Sequence, residues 1–172
     1  MTALRLLGAA LVALSGWALG RERRARLYAA ADALSAVCTA LGLLRSEITE
    51  RRAPLPEIAR RLCAEGPLPC RGWFTALSEG LDAPGEARFS ALWERALRAG
   101  RLPLGAEETA ALCRLGLSLG RYDAPEQAEA IDGCLAVLTR AQRRASDTAR
   151  EKGKLCTGLG LAGGLLIAVL LL

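Results

Sequence analysis

Residues 155–172 read LCTGLGLAGGLLIAVLLL, a stretch with no charged side chain and no proline. As an α-helix rising about 1.5 Å per residue it would be roughly 27 Å long, close to the ~30 Å hydrocarbon core of a bilayer. Arg150, Lys152 and Lys154 lie just before it, as basic residues do on the cytoplasmic side of a membrane helix. We therefore predict a C-terminal transmembrane helix with no folded segment beyond it. The alternative is a helix buried in a large core.

The N-terminal segment, residues 1–20, is a second apolar stretch, in which Arg5 is the only charged residue. A signal peptide carries its charge before the apolar run and small residues at a cleavage site after it. Here most of the positive charge follows the run, at Arg21, Arg23, Arg24 and Arg26. By the positive-inside rule this order favours a transmembrane helix followed by a cytoplasmic segment, with the signal peptide as the alternative.

Composition limits what the protein does. The 172 residues suffice for one domain with appendages, and the net charge of +5 is too diffuse to require nucleic acid. The chain has no histidine, which removes the commonest general base and all His-ligated metals. Its six cysteines show no C-x-x-C spacing, so reduced thiols are predicted rather than a metal site or a disulfide framework. We predict no catalytic, cofactor-binding or metal-binding residues and no small-molecule substrate. The alternative is a small membrane enzyme that works without histidine.

The region between the apolar segments, residues 21–154, is predicted to be helical throughout. Apolar residues recur at three- and four-residue steps, and no stretch alternates with the period of a strand. Helices are predicted to end before Pro54 and Gly100, and to begin at caps on Asp82 and Asp123. The fold class is therefore all-α, a membrane-anchored bundle of about six helices. Its parts are an N-terminal transmembrane helix (1–20), a cytoplasmic bundle (21–154) and a C-terminal transmembrane helix (155–172).

Glycines at helical spacing are candidates for close helix packing. A glycine inside a helix costs roughly 1 kcal/mol against alanine, so a helix crossing is predicted at Gly116. Gly120, one turn later, is a further candidate or simply the end of that helix. In the membrane segments the one-turn pairs are Gly16 with Gly20 and Gly160 with Gly164, a spacing that lets helix backbones approach in lipid. The abundance of glycine in this chain is the alternative explanation.

Several short segments, taken in order, make the chain similar to a known family. They are residues 44–48 (LRSEI), 54–57 (PLPE) and 91–93 (ALW), then Leu115-Gly116 through Leu119-Gly120 with Asp123 and Gln127, and finally 159–164 (LGLAGG). In the order and spacing of these segments the chain resembles the stage III sporulation protein AB family of endospore-forming bacteria over nearly its whole length. It departs from the family at Cys156, where an aromatic residue is usual, and at Glu107 or Glu108, where an Asp is usual.

The resemblance implies a helical domain like the cytoplasmic domains of the F protein of type II secretion systems. It implies a non-enzymatic membrane scaffold in the secretion-like channel between mother cell and forespore. Its expected partners are the membrane, the secretion-type ATPase of the complex (stage III sporulation protein AA) and other channel proteins, with no cofactor. The expected location is the mother-cell membrane around the forespore, with the bundle in the cytoplasm. The alternative is a generic membrane tether or dimerising adaptor with another cytosolic partner.

A partner surface is predicted from charge. Four arginines flank the short helix that follows Pro54, and we name them the arginine rim: Arg51, Arg52, Arg60 and Arg61. Such charges mainly affect the rate of association and its salt dependence. The rim is a candidate contact for the ATPase, and an ordinary solvated helix face is the alternative.

Overall fold

A computed structural model describes the backbone of residues 2–84 and 87–171, and the side chains of residues 18, 21–22, 25–26, 28–84 and 87–151. Within these residues all regular structure is helical, which confirms the predicted all-α class and the number of helices. The α-helices are α1 (Thr2–Ser46), α2 (Leu55–Glu65), α3 (Arg71–Asp82), α4 (Phe89–Gly100), α5 (Ala106–Ser118) and α6 (Ala124–Leu171). The predicted transmembrane helices, residues 1–20 and 155–172, lie outside the described side chains, Ala18 apart.

The chain divides into two compact units, residues 32–142 and residues 1–31 with 143–172. The larger unit is the helical bundle, and parts of α1 and α6 belong to it. The two helices run antiparallel there. Arg45 Nε on α1 lies 2.7 Å from Asp132 Oδ1 on α6. Seven residues earlier on α1, the Cys38 thiol is hydrogen-bonded to Thr139, which lies seven residues later on α6.

The end of α1 is set by a change of helix type followed by proline. The last turn widens into a π-helical turn over Glu47–Arg51, and Arg52 adopts a left-handed backbone with a φ of 50°. The N–H groups of Arg52 and Ala53 both donate to the Glu47 carbonyl oxygen. Pro54 cannot continue the helix, and it stands instead at the N-cap of α2.

The core of the bundle is built on α3, which packs against both α2 and α4, while α4 packs against α5. Trp73 and Phe74 on α3 and Trp93 on α4 are buried, with at most 1% of their surface exposed. The Trp73 ring centroid lies 4.5 Å from that of Phe74 and 4.8 Å from that of Trp93, in stacked and edge-on arrangements that aromatic pairs favour. The Trp93 Nε1–H donates to the Leu112 carbonyl oxygen at 2.8 Å and so ties α4 to α5.

The region around α4 differs from its prediction. Asp82 is the last residue of α3 instead of the cap of α4, and its Oδ1 lies 3.3 Å from Arg60 Nη1. Gly100 is the last residue of α4 instead of the residue beyond it. A Cβ added to Gly100 would lie 2.8 Å from Trp73 Cβ, so this glycine permits the close approach of α3 and α4.

The start of α6 agrees with its prediction, because Asp123 Oδ1 accepts the Glu126 N–H at 3.4 Å.

Among the described side chains, one helical stretch, Tyr28–Arg51, is long and apolar enough to cross a membrane. It is also a wall of the bundle: 44% of its apolar window is buried, and Val37 and Leu41 are fully enclosed. We therefore assign this stretch to the core.

Candidate partner-binding surface

The arginine rim lies where the end of α1 meets α2, and Glu47 is at its centre. The Glu47 side chain is only 16% exposed. Arg61 Nη1 donates to both of its carboxylate oxygens, at 3.2 and 3.1 Å. Arg51 Nη1 lies 3.5 Å from Glu47 Oε1. One carboxylate therefore positions two guanidinium groups from different elements of the bundle.

The other two rim arginines have different surroundings. Arg60 pairs with Asp82 across two side chains that are each more than half exposed, and such pairs stabilise a fold little. Arg52 is exposed, and none of the side chains described in the structure forms an ion pair with it. Arg52 is therefore the rim residue whose charge is most available to a partner.

Arg52 also lines a cleft of about 450 Å³ between the end of α1, the start of α2 and the start of α6. The other walls are largely apolar, and they include Ile48, Pro54, Leu55, Pro56, Gly120 and Ala124. Arg52 is the one charged residue among those that line the cleft. The two prolines restrict the backbone of the wall that begins α2.

Gln127 holds the turn that forms the opposite wall of the cleft. Its Nε2 donates to the Tyr122 carbonyl oxygen at 2.6 Å, and its Oε1 accepts the Gly120 N–H at 3.4 Å. Gly120 has a φ of +76°, a conformation that glycine adopts without steric cost. A Cβ at Gly120 would also lie 3.0 Å from Leu55 Cδ1. Gly120 thus lies in the turn just after α5, two residues beyond its last residue, and leaves room beside α2.

The chemistry of this surface suits binding. Among the described side chains, no group of three or more His, Cys, Asp or Glu is placed to hold a metal ion. Elsewhere in the bundle, outside the lining of the cleft, burial, with a smaller contribution from nearby Cys38, raises the pKa of the Cys70 and Cys134 thiols to about 11. Both thiols are therefore protonated at neutral pH and are weak nucleophiles. Apolar walls with one available cation fit a protein segment that carries apolar and acidic side chains.

The predicted packing glycines occupy different places. Gly116 lies against the Trp93 indole, where an added Cβ would be 2.3 Å from Cδ1 and 2.8 Å from Cγ. α4 and α5 therefore approach each other more closely there than any larger residue at this position allows. Gly16, Gly160 and Gly164 belong to the predicted membrane helices, outside the described side chains.

Sequence reasoning missed Glu47 as the centre of the rim. Part of the signal was available, because oppositely charged residues four apart pair on a helix, as Glu47 and Arg51 do. Arg61 lies on another helix, and no local spacing links it to Glu47.

Comparison with known proteins identifies the family. The model of the stage III sporulation protein AB family matches residues 5–172. A solved structure titled stage III sporulation protein AB has a similar fold, with a TM-score of 0.64 and 24% sequence identity, over 71% of this chain and 97% of that one. No curated protein matches the chain. Because the family model extends over nearly all of its residues, the chain belongs to the stage III sporulation protein AB family.

Proposed function

We propose that this protein is a non-enzymatic membrane scaffold of the sporulation machinery, which holds a cytoplasmic ATPase at the membrane beside a secretion-like channel. Family membership supports the role in sporulation. The observation that carries the scaffold role is the continuity of two helices. α1 and α6 are the first and last helices of the bundle, and they also extend through most of the apolar segments 1–20 and 155–172. Anything that binds those two segments is therefore connected to the bundle through continuous helices.

The two apolar segments are proposed to span the mother-cell membrane around the forespore, with the bundle in the cytoplasm. Basic residues flank the bundle at both ends, Arg21 and Arg26 on one side and Arg150 on the other. Such residues stay on the cytoplasmic side of a membrane. The bundle then lies in the compartment where an ATPase has access to ATP.

The ATPase is proposed to dock on the cleft and the arginine rim. Ile48 and Leu55 offer apolar contact, and Arg52 adds a charge that no described side chain neutralises. The other three rim arginines already pair with carboxylates of the same chain. The electrostatic part of binding is therefore expected to depend mainly on Arg52, and to be screened by salt.

The test is binding of the full-length protein, held in lipid nanodiscs, to the purified secretion-type ATPase of the same complex. We expect a complex that weakens as salt is raised, and that weakens several-fold when Arg52→Glu is introduced. The matched control is Arg95→Glu, which reverses another exposed arginine for which no ion pair exists among the described side chains. A folded wild-type protein that does not bind at low salt would contradict the proposal, as would equal losses in the two variants.

A further inference from the structure

A shallow groove of about 200 Å³ runs between α5 and α6, and it shares no lining residue with the cleft. Small and apolar residues line it, among them Leu115 and Ser118 of α5 and Ala130, Gly133 and Val137 of α6. Gly133 is exposed, and a Cβ added there would meet no atom within 4 Å. Glycine destabilises an exposed helix relative to alanine, and no contact within the described part of the chain accounts for this one.

Positive charge borders the groove. Arg114 lines it on α5, and Arg140 follows Val137 on α6 by about one turn. Both arginines are exposed, and neither forms an ion pair with a side chain that the structure describes. Leu117 on α5, one turn after Arg114, is 60% exposed. The groove therefore fits a helix that has small residues at its centre and a carboxylate towards one end.

The outer face of α1 has this composition. Asp32, Ser35, Thr39 and Gly42 follow one another at steps of three and four residues, and all four are exposed. A Cβ at Gly42 would meet no atom within 4 Å, as at Gly133. Leu43 beside it is 43% exposed. Asp32 forms no ion pair within the described part of the chain, so its charge is available to a partner.

We propose that the α5–α6 groove of one copy receives the outer face of α1 from a second copy, with the helices antiparallel and Gly42 crossing Gly133. Ser35 and Arg140 each lie seven residues from the crossing glycine and are therefore level with each other. Asp32 is three residues further along α1, about 4.5 Å, which the long Arg140 side chain can span. Because the groove and the α1 face are different surfaces, the contact is heterologous and repeats from copy to copy.

The antiparallel register also agrees with two copies held in one membrane, a step that rests on the proposed function. Within one copy, Arg45 on α1 pairs with Asp132 on the antiparallel α6. Gly42, three residues before Arg45, is therefore level with Leu135, three residues after Asp132. In the proposed contact Gly42 is level with Gly133 instead of Leu135. Relative to its position within one copy, α6 is therefore displaced by two residues, or about 3 Å along its axis. Neighbouring copies therefore stand at nearly the same height.

The test is the mass of the full-length protein in detergent, measured over a range of concentrations. The wild type is expected to associate beyond one copy. Asp32→Arg and Arg140→Asp should each raise the concentration needed for association at least tenfold, and the double variant should restore it. Arg95→Asp is the control and should associate like the wild type. ATPase binding is measured on the same samples, so that failure of the proposed function is seen separately.

Three outcomes would overturn the proposal. One is a wild type that stays a single copy at every concentration. Another is an assembly that neither single charge reversal weakens, or that the double variant does not restore. The third is a Gly133→Leu variant that associates like the wild type but loses ATPase binding, which would assign the groove to the ATPase instead of a second copy.

Discussion

Two regions of the bundle contain helical glycines for opposite reasons. In the core formed by α3, α4 and α5, a Cβ at Gly100 would lie 2.8 Å from Trp73 and one at Gly116 would lie 2.3 Å from Trp93. On the outer faces of α1 and α6, a Cβ at Gly42 or Gly133 would meet no atom of the described residues within 4 Å. The first two glycines are required by packing inside the chain. The other two weaken their helices, and no contact among the described residues explains them, so we look to a partner outside the chain for the reason.

Substitution of Gly116 should have the largest effect. Gly116→Ala places a Cβ against a buried ring, 3.0 Å from the Nε1 that donates to Leu112. Overpacking costs typically 1–3 kcal/mol, so we expect a loss of about 2 kcal/mol for alanine and about 3 kcal/mol for Gly116→Leu. Chemical denaturation of the full-length protein in detergent measures both. An alanine variant as stable as the wild type would remove the distinction between the two kinds of glycine.

Substitution of Gly100 should cause the next-largest loss of stability, because its neighbours include backbone atoms that cannot rotate away. A Cβ there would lie 3.1 Å from both the N and the Cα of Trp73. We expect Gly100→Ala to lose about 1–2 kcal/mol in the same measurement. Gly72→Ala is the matched control from the same crossing, since the one described atom that its Cβ would meet within 4 Å is Gly100 Cα, at 3.9 Å. Equal losses in the two variants would show that close approach at Gly100 is not the cause.

The two core tryptophans differ in whether the indole N–H has a hydrogen-bond partner. Trp93 Nε1 donates a hydrogen bond to Leu112, whereas the buried Trp73 Nε1 has no partner among the described residues. Both Trp→Phe variants lose similar apolar contact, but Trp93→Phe also loses a hydrogen bond worth about 1 kcal/mol. Trp93→Phe should therefore be the less stable variant by about that amount. The reverse order in denaturation midpoints would contradict the hydrogen bond's role.

Substitution of Gly42 or Gly133 should change the free energy of unfolding least, and it should increase stability instead of lowering it. Gly42→Ala and Gly133→Ala add a methyl group where there is room, and each should stabilise its helix by about 0.5–1 kcal/mol. Denaturation at a concentration where the protein is a single copy isolates this effect from association. Destabilisation by either alanine would show that the face is packed within the chain after all.

Helix ends that depend on local chemistry were predictable from the sequence. Helical structure ends before Pro54, which cannot continue it, and Asp123 caps α6 through a side chain three residues from its partner. Asp82 is instead the last residue of α3, and its carboxylate lies beside Arg60, 22 residues earlier in the chain, and not at the start of α4. The two residues lie on helices brought together by the core, and no local pattern reports that.

In the candidate site, too, local features were predictable from the sequence and tertiary contacts were not. Charge alone pointed to the arginine rim, but the role of Glu47 arises only when α2 packs beside the end of α1 and brings Arg61 to it. Likewise, Gly116 and Gly133 both lie inside helices that carry apolar and charged residues, and only the position of Trp93 makes one of them essential for packing. The family was predictable because its short segments occur in the chain in order, without reference to any tertiary contact.

The proposed scaffold requires the bundle to lie on the cytoplasmic side of the membrane, and the native thiols of the bundle can report its location. Cys63 on α2 and Cys113 on α5 are half-buried, whereas Cys70 and Cys134 are buried. In intact sporulating cells a membrane-impermeant maleimide should label none of these four. After lysis it should label Cys63 and Cys113 well before Cys70 and Cys134, whose pKa values burial raises to about 11. Labelling of Cys63 or Cys113 in sealed cells would place the bundle outside the cytoplasm and contradict the proposed scaffold.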